Sequence, residues 1–96
     1  MEIIFSEDAN NFLDQLEKDK EDRLLGAIWD AIDSIADNPT SAQARRRALR
    51  TPDGHTVWMV PIPVNHNDER WVILHEPRRG KLLIPYIGPE NFRQSM

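Results

Sequence analysis

Residues 6–39 read SEDANNFLDQLEKDKEDRLLGAIWDAIDSIADNP, and the fold follows from how this stretch is parsed. Ser6 carries the short hydroxyl side chain that caps a helix N-terminus, and Glu7 and Asp8 follow where the positive end of a helix dipole favours acids. Ala9, Phe12, Leu13 and Leu16 then fall at i, i+3, i+4 and i+7, the apolar stripe of an amphipathic helix. The cluster Glu17-Lys18-Asp19-Lys20-Glu21-Asp22 contains no apolar residue and reads as the turn between two helices. Leu24, Ile28, Ala31, Ile32 and Ile35 make a second stripe at helical spacing, which Trp29 broadens. Asn38-Pro39 ends it, because proline disfavours helical geometry in the residue before it. Residues 7–37 are therefore expected to form a helical hairpin.

Outside the hairpin the pattern is that of strands. Met1 to Phe5 holds Ile3, Ile4 and Phe5 and suits a short first strand. Thr40 to Thr51 is basic and reads as a short turn of helix leading into a strand, before the turn Pro52-Asp53-Gly54. Thr56 to Val64 is rich in strand formers, but Pro61 and Pro63 cannot donate to a ladder, which predicts fraying or a bulge at its end. After the polar turn Asn65 to Asp68, the continuous apolar run Trp71 to Leu74 has the character of a central strand covered on both faces. Arg78-Arg79-Gly80 is a turn, and Leu82 to Ile87 is the last strand, interrupted by Pro85 and closed by Gly88-Pro89. The expectation is one α+β domain over residues 1–96, in the order β-α-α-β-β-β. Its N-terminal strand and helical hairpin would pack on a twisted, mainly antiparallel sheet in two layers.

Composition narrows the functional classes. A chain of 96 residues that is 40% apolar has room for one core. With no cysteine, neither a disulfide framework nor a thiolate metal site can form. No basic leader opens the chain and no stretch nears the roughly 18 apolar residues of a membrane span, so a cytoplasmic location without membrane contact is expected. Charge is divided unevenly around the net −4: residues 1–40 hold eleven acids and three bases, residues 41–96 nine bases and five acids. That division suggests an acidic face from the first half and a basic, phosphate-compatible face from the second, unless both are simply solvated surfaces.

Five segments in order resemble the RelE/ParE superfamily of type II toxin–antitoxin toxins: IIFSEDANNFLDQL (3–16), AIDSIADNP (31–39), ARRRAL (44–49), ERWVILHE (69–76) and IPYIG (84–88). The resemblance implies a toxin neutralised by a cognate antitoxin. A RelE-like member would act with the ribosome and cleave mRNA without a metal, as an endoribonuclease. A ParE-like member would inhibit DNA gyrase, and a non-catalytic protein-binding module on the same fold is a further alternative. Where RelE-type toxins carry lysines on the strand equivalent to Thr56–Val60, this chain has Val57, Trp58 and Met59. Where they carry basic and tyrosine residues after the final strand, it has Pro89, Glu90 and Asn91.

Metal-free cleavage needs a base for the ribose 2′-hydroxyl, cations for the developing phosphorane charge and an acid for the leaving oxygen. Arg70 matches the family's arginine at the start of the central strand and is the first choice as phosphate clamp; otherwise it is a strand-end arginine that is solvated or paired with Asp68 or Glu69. His75 and Tyr86 are the other catalytic candidates, a histidine being the natural acid or base near neutrality. An odd spacing separates His75 from Arg70, which puts the two on opposite faces of a regular strand. Tyr86 is equally a core or stacking ring, and Phe92 offers only a stacking surface. Arg45, Arg46, Arg47, Arg50, Arg78, Arg79 and Lys81 are the candidate phosphate contacts, and the arginine run is alternatively a solvated face or a docking surface for an acidic antitoxin segment. His55 and His66 lie in turns, no paired histidines or glycine-rich phosphate loop occur, and neither a metal nor another cofactor is expected.

Overall fold

A computed structural model of the chain describes residues 2–42, 44, 45, 47–66 and 68–90, excepting the side chains of 65 and 66. The elements in order are β1 (Glu2–Phe5), α1 (Glu7–Lys18), α2 (Asp22–Asp37), β2 (Arg47–Arg50), β3 (Thr56–His66), β4 (Glu69–Arg78) and β5 (Lys81–Pro89). The strands form one sheet in the order β1-β5-β4-β3-β2, with β1 parallel to β5 and every other pair antiparallel. The α+β class and the helical hairpin agree with the sequence reading. One more strand is present than expected. Arg47–Arg50 pairs with Thr56–Met59 as a short edge strand, and its two apolar residues between arginines are too few to show a period. In place of the expected short turn of helix, a single backbone bond precedes it, from the Arg45 N–H to Ser41 O at 3.0 Å, and no helix lies between α2 and β2 among the described residues.

Ser6 explains how β1 gives way to α1. Its Oγ accepts from the Ala9 N–H at 3.1 Å, capping the helix, and donates to Pro85 O at 2.8 Å. The helix start is thereby fixed to β5. The two helices bury Ala9, Leu13, Leu16, Leu24, Ile28, Ile32 and Ile35 against Ile62, Trp71, Ile73, Leu82, Ile84 and Ile87 of the sheet. Val57, Met59, Val72 and Leu74 form a second buried cluster on the other face, which carries no helix. The run Trp71 to Leu74 thus alternates between two clusters, as a central strand should.

Both proline interruptions appear as register shifts. The β3–β4 ladder shifts between Pro61 and Asn65. In the β4–β5 ladder the pairs Glu76↔Leu83 and Leu74↔Tyr86 leave Ile84 and Pro85 together opposite His75, a one-residue bulge on β5. Beyond Ile84, β5 has no β1 neighbour, and Phe12 of α1 packs at that edge with its ring 5.7 Å from Trp71 and 6.3 Å from Tyr86. Trp29 is the one large apolar side chain left exposed among the described residues, edge-on to Phe5.

His75 ties the connection after α2 to the middle of the sheet. Its side chain is fully buried, and its Nε2 lies 2.7 Å from Ala44 O, to which it donates; Nδ1 has no hydrogen-bond partner among the described residues. Burial pushes the imidazole pKa below its usual value, against the upward pull of the Ala44 hydrogen bond and helped by the nearby Arg45 charge. The native pKa lies below the unfolded value, so the contribution of His75 to stability is complete above about pH 6.5 and is lost as pH falls toward the native pKa. Urea unfolding at about pH 7.5 and about pH 5.5 should show stability falling with acidification, and His75→Gln, which keeps a donor for Ala44 O, should flatten that slope. An identical slope in both proteins would contradict this role.

Candidate functional site

The helix-free face gathers the polar residues that the sequence reading scattered. Side chains on it follow from strand parity: Arg47 and Leu49 on β2, Val57 and Met59 on β3, and Arg70, Val72, Leu74, Glu76 and Arg78 on β4. Cross-strand pairing adds Lys81 opposite Arg78 and Tyr86 opposite Leu74. The floor between the polar groups is the buried cluster around Val72 and Met59, with Leu49 and Tyr86 packed against it.

One end of the face centres on Glu90, immediately after β5. Its carboxylate lies 3.8 Å from Arg70 Nε and 3.5 Å from Arg47 Nη1. Arg47 and Glu90 belong to opposite sides of the sheet, with β3 and β4 between them. In a flat sheet β2 and β5 would stand roughly 14 Å apart, and the long side chains of Arg47 and Glu90 reach across the two strands between them. Arg47 and Glu90 thus meet across the apolar floor of the face. Arg70 itself remains 67% exposed, which leaves its guanidinium open to solvent and to a ligand.

Tyr86 stands at the same end. Its hydroxyl donates to Pro89 O at 2.7 Å, and burial, followed by the Glu69 charge, raises its pKa, so that the phenol keeps its proton at neutral pH. Gly88 makes room for it: a Cβ there would lie 2.7 Å from the Tyr86 Oη and 2.9 Å from its Cζ. The opposite end holds a second cluster, with His55 Nδ1 3.6 Å from Glu76, 3.8 Å from Asp53 and 3.4 Å from Arg78 Nη2. Arg78 also donates to Glu76 at 3.2 Å. A hydrogen bond from Thr51 lowers the Asp53 pKa, so this acid stays ionised. Along β4 the two ends are eight residues, or roughly 26 Å, apart.

The structure therefore unites Arg47, Arg70 and Tyr86 at one end and Arg78 and Lys81 at the other. It separates the remaining candidates. His75 faces the helices, as its spacing from Arg70 implied, and no ligand on the sheet face reaches it. Arg45 stacks on Trp58 at 5.4 Å and donates to Pro39 O at 3.2 Å, on the helix side. Arg50 shares that side by parity with Ala48, and Arg79 sits in the exposed β4–β5 turn. Arg46 and Phe92 lie outside the described residues, as does the side chain of His66.

Glu90 is the residue the sequence reading passed over, since it stood only as a departure from the RelE pattern. Among the described residues no cluster of three or more histidine or acidic side chains is placed to hold a metal, and no helix is long and apolar enough to cross a membrane. Comparison of the chain with models of protein families, with curated proteins and with solved structures finds no match in any of the three.

The Tyr86–Gly88 contact makes a sharp test of the site's packing. Gly88→Ala should force the ring off its place and break its bond to Pro89, at a cost of about 1–3 kcal/mol in stability. Tyr86 is the only tyrosine, so its ring resonances report this without ambiguity. Unchanged ring signals would contradict this close packing of Tyr86 on Gly88.

Proposed function

We propose that this chain is a toxin of the RelE/ParE type whose helix-free face binds single-stranded RNA and cleaves its backbone, in association with the ribosome and under the control of a cognate antitoxin. The observation that carries the reading is the Arg47–Glu90–Arg70 arrangement on the helix-free face, with both guanidiniums exposed. Two guanidiniums beside one carboxylate combine what a ribonuclease requires: cations where charge develops and a base beside them.

The step is a transesterification. Glu90 takes the proton of a ribose 2′-hydroxyl as its oxygen bonds to the adjacent phosphorus. Arg70 and Arg47 stabilise the extra charge on the non-bridging oxygens as the P–O5′ bond breaks. The 5′-oxygen leaves with a proton, for which the protonated Tyr86 phenol is the donor at this end of the face, and a 2′,3′-cyclic phosphate remains. Phosphate binding competes with Glu90 for the arginines, so substrate entry exchanges an internal ion pair for an external one. Arg78 and Lys81 at the far end are placed to hold the backbone of the same strand.

The partly exposed Leu49 and Tyr86 on this face favour a second reading, in which it binds a protein such as gyrase and cleaves nothing. The two separate on expression in a bacterial host with protein and DNA synthesis pulse-labelled in parallel. Cleavage predicts a rapid fall in protein synthesis, relieved by Arg70→Ala and by Glu90→Gln, each lowering the cleavage rate by about 10²–10³. A fall in DNA synthesis with filamentation would replace this function with gyrase inhibition, and normal growth with both syntheses intact would count against an active toxin.

A further inference from the structure

We propose that the groove between α2 and β3 is a docking site for a partner protein, and that its occupant is an apolar segment flanked by lysine or arginine. The groove lies on the helix side of the molecule and uses no residue of the Glu90 site, so the inference stands whatever the sheet face does.

The groove exists because β2 is short. β2 pairs only with Thr56–Met59, so the outer edge of β3 from Val60 to Val64 has no neighbouring strand among the described residues. Pro61 and Pro63 fall within that edge and offer no N–H, which prevents a partner from extending the sheet by a full ladder. Contact through side chains is what remains. Between this edge and α2 lies a cavity of about 540 Å³, lined in part by Val60 and Val64 from the strand and by Ala27 and Ala31 from the helix. The small alanine side chains leave the space open.

Charge selects the occupant. Asp30 is itself part of the groove wall. Asp33 and Asp37 continue from it at i+3 and i+7, so the three make one exposed stripe along the rim. None has an ion-pair partner among the described residues. Like charges at these spacings repel, and Asp33 and Asp37 lie toward the C-terminal end of α2, where the dipole is already negative and the last turn holds no base. Within the chain this arrangement is unfavourable. A cation brought by a partner relieves it, whereas nucleic acid would aggravate it. Apolar walls with a negative rim therefore fit apolar residues bordered by lysine or arginine.

Panning a displayed library of peptides of about 12 residues against the full chain tests this directly. We expect enriched peptides to combine apolar residues with lysine or arginine, to bind less tightly as salt rises, and to shift the amide signals of Ala27, Ala31, Val60 and Val64. The triple variant Asp30→Lys, Asp33→Lys, Asp37→Lys should lose at least about tenfold in affinity for those peptides and select acid-flanked ones instead. Asp37→Lys alone should raise the melting temperature, which checks the repulsion independently of any ligand. Failure to enrich peptides, enrichment without a basic bias, equal binding by the triple variant, or shifts confined to the opposite sheet face would each overturn the proposal. So would concentration-dependent dimerisation through the groove, which would make a second copy of the chain its occupant.

Discussion

One crossing constrains the whole molecule. β1 lies at one edge of the sheet and β2 at the other, and the helical hairpin is the only link between them. It must therefore travel from edge to edge over one face, and with a single such crossing the opposite face receives no helix. The three remaining connections are short turns at the ends of neighbouring antiparallel strands. The main core, the helix-free face and the groove beside α2 all follow from that arrangement. The parallel pairing of β1 with β5, from Glu2↔Lys81 to Phe5↔Ile84, anchors the start of the crossing, and the Ser6 contact to Pro85 holds the first helix there.

A face without a helix still needs its apolar residues covered. Here charged side chains from β2 and from the end of β5 meet across Val72 and Met59. Exposed ion pairs such as these add little to stability, typically below about 1 kcal/mol. Their geometry is more telling than their energy. Arg47 and Arg70 both reach the Glu90 carboxylate, and they are open enough to exchange partners. The acidic outer surface of the helices and the arginines of the sheet face give the unequal charge of the two halves a spatial meaning.

Much of the fold was legible in the residues. The stripes of α1 and α2, the Ser6 cap, the Asn38-Pro39 stop and the two-faced run Trp71 to Leu74 each state a local preference that the packing obeys. The odd spacing of Arg70 and His75 was enough to assign them to opposite faces. Two features were not legible. β2 is four residues with two arginines, and only its pairing to β3 makes it a strand. Glu90 depends on a single inserted residue. Counted back from the pair Arg78↔Lys81, a regular ladder would set residue 89 opposite Arg70; the bulge at Ile84 and Pro85 shifts the register by one and brings Glu90 round instead. Pro85 signalled an interruption in the strand, but not its size or direction.

The reading of the sheet face as an RNA-cleaving surface is tested most directly by end-mapping. Purified chain would be incubated with programmed ribosomes, and the mRNA ends then sequenced with their terminal chemistry resolved. We expect new 3′ ends bearing 2′,3′-cyclic phosphate at ribosome-bound positions, formed by the wild-type chain and missing with Glu90→Gln. Intact mRNA, or cyclic-phosphate ends produced equally by wild type and Glu90→Gln, would contradict the assignment of this site.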